Sequence, residues 1–333
     1  MKRLIRLFTT LHRVICFCGL SGVCCGNNVL FSQQTGRFTF EHPQMGTTFR
    51  IVLYAENEAI AQNAAGKAFA RIDSLNQSMS DYLPDSEISR LAAQAGTGTY
   101  QKVSSDLWNV LVRSQQVSRY SKGAFDVTIG PLSLIWRRAM RQQVLPSEEQ
   151  IWKAVAKVNY KNLQLRKKDL SVMLKQPGMK LDLGAIAKGY ASDKAYEVLL
   201  REGIPVALVD GGGGLRLGAP PPGQTGWKVE IFTQKETPDT LRKTLYLSHC
   251  GVATSGDTYK YVEADGKRYS HIIDPRTGYG IQSRRLVTVV APDGMDADAL
   301  ATTLSIVGAE KGKKIAHKLH KKNQTALYFT EIH

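Results

Sequence analysis

The sequence predicts an α+β fold built on a largely antiparallel sheet with packed helices. Two observations lead to this prediction. Strand patterns outnumber strand–helix crossover units along the 333 residues, and 43% of the residues are apolar, which is enough to bury a full core. The chain is therefore globular rather than disordered, and its length allows one large domain or two ordinary ones.

The first half is predicted to alternate helices with short strands. MGTTFRIVLYAEN alternates and is β-branched, as a strand requires, and the following segment is alanine-rich, as in a helix. Serine at a helix start and glycine past a helix end mark two further helices. In chain order we predict a strand in MGTTFRIVLYAEN, a helix over 57–78, a short helix capped by Ser86, a helix ended by Gly123, a buried turn region in AFDVTIGPLSLIW, a helix over 147–158, and strands near 163–167, 170–175 and 179–183.

The second half is predicted to be richer in strands. LDLGAIAKGYASDKAYEVLLREG indicates a strand running into a long helix that stops at Gly203, and IPVALVD indicates a buried strand. Turn-rich connections separate further strands, which we predict over 226–234, 244–250, 267–273 and 285–291. Two helices and the strand TALYF close the chain.

The N-terminal segment is predicted to be a secretory leader. Four cations (Lys2, Arg3, Arg6 and Arg13) and no acid accompany the apolar run VICFCGLSGVCCG, which is too short to span a bilayer. We therefore assign 1–25 to a signal, 26–37 to a linker and 38–333 to one domain, exported to the periplasm or cell envelope. LSGVCC resembles a lipoprotein signal, but Val23 replaces the usual small residue before Cys24. Cys24 is thus either lipidated, tethering the protein to a membrane surface, or not.

Cysteine and charge limit the possible partners. Cys250 is the one cysteine outside the leader, so no internal disulfide is predicted. The formal net charge is +15, and much of it lies in EKGKKIAHKLHKKN, an amphipathic pattern that places Lys314, Lys318 and Lys321 on one helix face. That face is either solvated or attracted to anionic lipid or an acidic partner. Nucleic acid is not expected, because no aromatic residues interleave the lysines.

The segment SHIIDPRTGYG sets His271 beside an Asp-Pro-Arg-Thr-Gly turn. Histidine titrates near neutral pH and could accept a proton from a substrate. The alternative is a purely structural turn, since Asp-Pro starts a turn readily and Gly278 closes it.

The segment DADALATTLSIVG places Asp298, Thr302 and Ser305 along one stripe of an otherwise apolar helix. A carboxylate one turn before a hydroxyl offers two hard oxygens, which suits Mg²⁺. The alternative for Asp298 is an ordinary interaction with the helix dipole in the first turn.

LDLGAIAKGY places Asp182 at a strand end and Lys188 in the second turn of the following helix. Free backbone N–H groups at a helix start favour an anion, and Gly184 and Gly189 would let a ligand approach. A tight packing turn between strand and helix is the alternative.

Two further segments carry glycines or a carboxylate in apolar surroundings. VDGGGGLRLG suits close approach of a ligand or a flexible loop. In GAFDVTIGPL, the Asp126 carboxylate needs partners, supplied either by a ligand hydroxyl or by a backbone turn. Taken together, these segments would supply a phosphate-binding helix start, two oxygens suited to magnesium and a base, which are the groups needed for attack on a phosphate or pyrophosphate.

The chain resembles the FAD:protein FMN transferases, the ApbE-type flavin transferases, from about residue 40 to 330. The resemblance is carried by seven ordered blocks: MGTTF, SDYLPDSEIS, GAFDVTIGPL, LDLGAIAKGYASD, GVATSGD, GKRYSHIIDPRTG and DADALATTL. It implies an ApbE-like, T-fold-related architecture. It also implies an enzyme that uses Mg²⁺ and FAD to transfer FMN to a Ser or Thr hydroxyl of an acceptor protein, forming a phosphoester and releasing AMP.

The resemblance also implies roles for individual residues. It implies FAD contacts at Met45, Tyr82, Ala124, Phe125, Asp126, Asp182, Lys188 and Ile272. Asp298, Thr302 and the main-chain oxygen of Ala185 would hold Mg²⁺, and His271 would deprotonate the acceptor hydroxyl, which is a weak nucleophile at neutral pH. Two alternatives remain: an FAD pyrophosphatase that releases FMN and AMP, and a non-catalytic FAD-binding lipoprotein.

Overall fold

A seven-stranded, wholly antiparallel sheet organises the fold, with strand order β1-β2-β6-β7-β10-β13-β14. The computed structural model describes residues 35–232, 242–256, 260–264, 266–283, 285–320 and 324–331. The central strands are β1 (Gly36–Gln44), β2 (Thr47–Ala55), β6 (Ala207–Asp210), β7 (Gly214–Leu217), β10 (Cys250–Ser255), β13 (Arg285–Ala291) and β14 (Ala326–Glu331). The prediction of an α+β fold with a largely antiparallel sheet is confirmed.

Three smaller antiparallel units accompany the central sheet. One has three strands and the other two are hairpins. Their strands are β3 (Gln101–Lys102), β4 (Leu163–Arg166) and β5 (Ser171–Leu174) in the first, β8 (Trp227–Phe232) and β9 (Arg242–Leu247) in the second, and β11 (Tyr261–Ala264) and β12 (Lys267–Ser270) in the third.

Most helices begin at side-chain caps that the sequence supplies. Asn57, Ser86, Ser104, Ser147 and Asp293 each accept a hydrogen bond from a backbone N–H of the following turn. The α-helices of the described residues are α1 (Glu58–Met79), α2 (Glu87–Ala93), α3 (Ser105–Ser121), α4 (Gly130–Gln142), α5 (Glu148–Val155), α6 (Ala187–Arg201), α7 (Gly294–Val307) and α8 (Ala309–Leu319).

The main core lies between one face of the central sheet and a helical layer. Ile51 and Leu53 of β2 are fully buried there against α1, α3 and α6. Val52, which points to the opposite face, packs instead with Trp227 and Val229 of the β8–β9 hairpin. Because side chains alternate along a strand, both faces of β2 are covered, and α6 and α7 are held side by side on the helical face.

Two local predictions are wrong. The segment AFDVTIGPLSLIW is not wholly a turn region, because α4 begins at Gly130 inside it. The segment 179–183 is not a strand: Lys180 forms an isolated bridge with Ile129, and the residues after it run without regular structure into α6.

Other strands shift by a few residues, and β1, β3, β7, β10 and β11 were not predicted as strands. Residues 35–333 cluster as a unit of their own. None of the helices within the described ranges is long and apolar enough to cross a bilayer. The predicted leader with Cys24, the last residue of GVATSGD, and Lys321 all lie outside the described residues.

Candidate active site

The start of α6 meets α7 at a junction that carries both the predicted phosphate-binding lysine and the predicted metal-binding carboxylate. Lys188 Nζ donates a hydrogen bond to the Gly184 main-chain oxygen at 2.6 Å and lies 3.9 Å from Asp298 Oδ2. The same carboxylate oxygen accepts a hydrogen bond from the Gly189 N–H at 3.1 Å. We call Gly184, Lys188, Gly189, Asp298 and Thr302 the α6–α7 junction. Lys188 is the second residue of α6, not a residue of its second turn as predicted.

Gly189 is required by packing between the two helices. A Cβ at this position would overlap the Gly294 carbonyl and would lie 2.9 Å from the Asp298 Cβ. The space beside Gly189 is therefore filled by α7, which corrects the prediction that this glycine admits a ligand. Beside Gly184, by contrast, a Cβ would have one neighbour, Asp182 Oδ1 at 3.0 Å.

The acids of α7 have three different environments. Asp293 caps the helix and accepts from the Asp296 N–H at 2.8 Å, and Asp296 forms a bidentate ion pair with Arg113. Burial would raise the pKa of Asp296, but His320 and Arg113 lower it below its usual range. Asp298 lies beyond the first turn, so the helix dipole does not account for it. Its carboxylate faces α6 instead.

Farther along α7, the predicted polar stripe divides. The Ser305 hydroxyl donates to the Ala301 carbonyl at 3.0 Å, one turn back in its own helix. Thr302 lies one turn after Asp298 and is half-buried. The pair Asp298 and Thr302 thus remains as the part of the stripe adjoining the α6–α7 junction.

A second carboxylate of α6 fixes the start of α7. Asp193 accepts hydrogen bonds from the N–H groups of Gly294 at 2.8 Å and Met295 at 2.9 Å. Burial and the nearby charge of Asp293 raise the pKa of Asp193 to about 7, although Arg216 lies 3.6 Å away. These hydrogen bonds fix the position of the start of α7 along α6, and therefore the position of Asp298.

Arg137 of α4 connects two predicted ligand-contact segments. Its guanidinium donates to Asp81 Oδ2 at 2.5 Å and to Asp182 Oδ2 at 2.7 Å, and it lies over the Tyr82 ring, 4.5 Å from the centroid. Burial lowers the pKa of the Arg137 guanidinium, but the charges of Asp182 and Asp81 raise it above its usual value. We call Asp81, Tyr82, Arg137 and Asp182 the Arg137 cluster.

Asp182 connects this cluster to the α6–α7 junction. Its Oδ1 accepts from the Gly184 N–H at 2.8 Å, and the Gly184 carbonyl in turn accepts from Lys188. A continuous chain of hydrogen bonds therefore runs from Arg137 through the turn before α6 to Lys188.

The GAFDVTIGPL segment runs beside Asp182 and forms one wall of the candidate site. The Val127 carbonyl accepts from the Asp182 N–H at 2.9 Å. Ala124 and Phe125 are buried, at 0% and 4% exposure of the whole residue. Asp126 is buried too, and its carboxylate accepts from Thr128 and from the Tyr160 N–H. Burial raises the pKa of Asp126 despite these bonds, and its partners belong to a local turn at Thr128 and to the distant Tyr160 main chain.

The SHIIDPRTGYG segment forms an ordered turn. Arg276 donates to both carboxylate oxygens of Asp274, the Gly278 N–H donates to the Asp274 carbonyl, and Trp136 of α4 donates to the Gly278 carbonyl at 2.8 Å. Pro275 and Arg276 line a cavity of about 430 Å³ together with Gly123 and Asp126. The turn is therefore structural and also borders the GAFDVTIGPL wall.

Within the SHIIDPRTGYG segment His271 is exposed, with Nδ1 3.2 Å from the Lys260 carbonyl, whereas Ile272 is 6% exposed.

Met45 lies in the β1–β2 turn with a positive φ of 52° and lines a separate shallow cavity over 43–48. Tyr82, Asp182, Lys188 and Asp298 are thus connected through Arg137 and Gly184, while Met45 and His271 contact other segments.

The glycine run after β6 forms a close turn. Gly212 has a φ of 74°, its N–H donates to Asp210 Oδ1 at 2.8 Å, and a Cβ there would overlap the Thr47 side chain. Gly212 therefore packs against the start of β2, which accounts for this glycine without a ligand.

Sequence reasoning missed Arg137, Asp81 and Asp193 as members of the site region. Asp81 and Asp193 lie inside matched blocks, next to or near residues that were selected. Arg137 had a detectable signal: Pro131 in the first turn of α4 is typical of a helix start, and a helix there places Leu132 and Trp136 on the buried face.

The donors at the α6–α7 junction suit a hard divalent cation. The Lys188 ammonium lies between the Gly184 carbonyl and the Asp298 carboxylate, so a positive charge already lies beside one of the groups predicted to bind Mg²⁺, Asp298. Carboxylate, hydroxyl and carbonyl oxygens are the donors that Mg²⁺ prefers. Within the described ranges no group of three or more His, Cys, Asp or Glu side chains could hold a metal, and the predicted set contains one such side chain, Asp298.

Comparisons with known proteins agree with the resemblance seen in the sequence. The FAD:protein FMN transferase of Haemophilus influenzae is 30% identical over 295 residues, 85% of this chain and 83% of that protein. The one from Vibrio cholerae is 33% identical and covers 82% of both. The structure of the Vibrio cholerae flavin transferase ApbE matches with a TM-score of 0.77 at 29% identity, over 90% of this chain and 97% of that one. The family model described as "ApbE family" matches residues 45–329. The resemblance is thereby confirmed, and the chain belongs to the ApbE family.

Proposed function

We propose that residues 38–333 form a single flavin transferase domain that moves FMN from FAD to an acceptor protein. The relatives named FAD:protein FMN transferase support the overall reaction. The α6–α7 junction is the observation that carries it, because it combines a lysine for a phosphate with hard oxygens for a metal. In finer detail, the acceptor group is a Ser or Thr hydroxyl, Mg²⁺ is required, and AMP is released.

The transfer is a displacement at the FMN-side phosphorus of the pyrophosphate. The acceptor oxygen forms a bond to that phosphorus, the bond from phosphorus to the AMP phosphate oxygen breaks, and AMP leaves with the electron pair. His271 accepts the hydroxyl proton, a role consistent with its exposure at the surface. Lys188 lies at the start of α6, where its charge and the first backbone N–H groups favour the pyrophosphate.

Mg²⁺ would be held by Asp298, Thr302 and the main-chain oxygen of Ala185, and it would neutralise charge on the pyrophosphate. Asp193 and the close packing at Gly189 fix the position of α7, so Asp298 is presented to the phosphates without rearrangement. Lys188 has two partners here, the Gly184 carbonyl and Asp298, and can turn from them to a phosphate oxygen.

The flavin and the rest of FAD would contact the walls around this junction. Tyr82 is 72% exposed and offers a flat ring to the ligand. The other contacts we propose are at Met45, Ala124, Phe125, Asp126, Asp182, Lys188 and Ile272.

Incubation of the purified protein with FAD, Mg²⁺ and a candidate acceptor tests this function. We expect a covalently fluorescent acceptor, a mass increase equal to one FMN less one water on one Ser or Thr, and an equal amount of AMP. An acceptor with that residue changed to Ala, and a reaction with a chelator, are the matched controls. Intact FAD with unlabelled acceptor would contradict the proposal.

Two alternatives have their own outcomes in the same experiment. Free FMN and AMP, formed at a rate that the acceptor does not change, would identify an FAD pyrophosphatase. Tight binding of FAD without turnover under any metal condition would identify a storage protein. The Lys188 and Asp298 contact favours catalysis, because storage needs no metal activation.

We also propose export to the periplasm or cell envelope, and lipidation of Cys24 as a membrane anchor. The support is the leader composition in the sequence. Cell fractionation and mass spectrometry of the mature N-terminus test it, with Cys24→Ala as the comparison. A cytoplasmic, uncleaved protein would contradict export, and a cleaved but unmodified N-terminus would contradict the anchor.

A further inference from the structure

Arg137 connects two residues that the proposed function assigns to FAD, although Arg137 itself was not predicted to belong to the site. Its guanidinium donates to Asp182, lies over the ring of Tyr82 and also donates to Asp81. The side chains of Arg137, Asp81 and Asp182 are 26%, 19% and 13% exposed, so the three charges are largely withdrawn from solvent. At this burial the contacts have fixed geometry, unlike exposed ion pairs.

Tyr82 differs from its neighbours in exposure. It is 72% exposed, yet the Arg137 guanidinium lies 4.5 Å from the ring centroid and supports one face of the ring. A planar guanidinium stacks on an aromatic face and limits the rotation of the ring. The rest of the ring is left available to a flat ligand, as the isoalloxazine of FAD is.

The charges in the Arg137 cluster explain why no other side chain can replace the guanidinium easily. Two carboxylates face one cation, and burial together with the Asp182 charge raises the pKa of Asp81. Arg137 presents donors in a planar fork and reaches both acids while keeping its face on the ring. Lysine could supply the charge but not the stacked plane.

We propose that Arg137 is a positioning residue for FAD, which holds the Tyr82 ring and the Asp182 carboxylate in the arrangement that receives the ligand. This inference rests on the proposed function and deepens it. Because Asp182 also holds the turn at Gly184, loss of Arg137 weakens ligand binding first. Asp298 lies on α7 and accepts from the Gly189 N–H, so its position is retained and the chemical step is largely preserved.

Arg137→Met and Arg137→Lys test this role, with Arg138→Met as the matched control because Arg138 is the exposed neighbour on the same helix. FAD dissociation constants from flavin fluorescence, kcat, KM and melting temperature are measured for each protein. We expect Arg137→Met to raise the dissociation constant and KM by about 10- to 100-fold, as loss of a stacked, bidentate contact would. The kcat of Arg137→Met should stay within about threefold of that of the unaltered protein. The dissociation constant and KM of Arg137→Lys should lie between those of Arg137→Met and the unaltered protein, and those of Arg138→Met should be unchanged.

A merely structural ion pair has a different signature. If Arg137 only neutralises the two acids, Asp81→Asn combined with Arg137→Met removes the repulsion between Asp81 and Asp182. FAD affinity would then return to that of Arg138→Met, and this result would overturn the proposal. We expect the double variant to regain melting temperature while affinity stays low. It also provides a folded protein if Arg137→Met alone does not fold.

Failure of this inference and failure of the proposed function are distinguishable. If the unaltered protein neither binds nor cleaves FAD, the proposed function is wrong, and the inference falls with it. If the unaltered protein binds FAD and the Arg137 variants bind it equally well, the inference alone is wrong.

Discussion

The Arg137 cluster and the α6–α7 junction differ in how their charges are matched. In the cluster, the guanidinium contacts Asp81 and Asp182 directly at 2.5 and 2.7 Å. In the junction, Lys188 Nζ lies 3.9 Å from Asp298 and is hydrogen bonded to a main-chain carbonyl. In the cluster the cation therefore contacts its acids directly, whereas in the junction Lys188 and Asp298 are only loosely paired, so a ligand can replace either partner.

This difference separates two tasks within one site. A cluster whose cation contacts both acids directly fixes the shape of the site, because removing Arg137 leaves two buried carboxylates without a cation. A loosely paired junction gives reactivity, because its groups can exchange partners at low cost. Changes in the cluster should therefore affect ligand affinity, and changes in the junction should affect turnover.

The largest expected effect is the loss of turnover in Asp298→Ala. We expect kcat to fall by about 10³-fold, about 4 kcal/mol in the barrier, because the variant lacks the one carboxylate of the predicted metal set. FAD affinity and melting temperature should change little. Transfer rates and FAD fluorescence measure the two effects, and Mn²⁺ binding followed by electron paramagnetic resonance should weaken in parallel.

Asp85→Ala is the matched control, because this carboxylate is exposed in the 80–86 loop. If the kcat of Asp298→Ala equals that of Asp85→Ala, the inference that the α6–α7 junction controls turnover while the Arg137 cluster controls affinity is wrong.

A neighbouring acid of α7 should show the opposite behaviour. Asp296→Ala leaves the Arg113 guanidinium half-buried without its partner, and we expect the free energy of unfolding to fall by about 3–5 kcal/mol. Glu149→Ala breaks an exposed pair with Lys153 and should cost under about 0.5 kcal/mol. Urea denaturation measures both. Equal losses in the two variants would show that the Asp296 pair does not hold α7 in place.

His271→Ala should produce a smaller loss confined to the chemical step. We expect transfer to fall by about 10²-fold, because removing a general base has effects of that order. FAD affinity should be unchanged, since the ring is exposed and lies against Lys260. His317→Ala, an exposed histidine of α8, is the control. Parallel losses of binding and transfer in His271→Ala would argue for a role in ligand positioning instead.

The sequence predicted most helices because their boundaries are local. Asn57 and Ser104 cap α1 and α3 as their residue types suggest, and Gly123 follows the left-handed Lys122 that ends α3. Pairing in the central sheet joins distant segments, so short strands such as β7 and β10 carried too little periodicity to be recognised.

The prediction of α4 failed because its start carries no side-chain cap. Ile129 precedes the helix, and Gly130 and Pro131 in its first turn looked like a turn instead. Missing α4 meant missing Arg137, since without a helix nothing aligns that residue with Asp182. The α6–α7 junction was better anticipated, because Lys188 and Asp298 belong to recognisable motifs even though their contact is tertiary.

The smallest expected effect is the pH dependence that Asp193 gives to stability. Its pKa is raised to about 7 in the folded state by burial and by Asp293, with Arg216 and the N–H groups of Gly294 and Met295 also facing it. Between about pH 4 and pH 7 the folded state therefore holds a proton that the unfolded state has released. Stability should fall as pH rises through this range, by roughly 2 kcal/mol between pH 5 and 7.

Asp193→Asn should remove this slope while adding a constant loss, because an amide oxygen replaces two carboxylate acceptors for the start of α7. Urea unfolding from pH 4 to 8 measures it, with the exposed Asp85→Asn as control. The difference in the free energy of unfolding between Asp193→Asn and the unaltered protein should change steadily up to pH 7 and then level off. Parallel curves over the whole range would mean that Asp193 is charged in the folded protein and pairs with Arg216 as an ion.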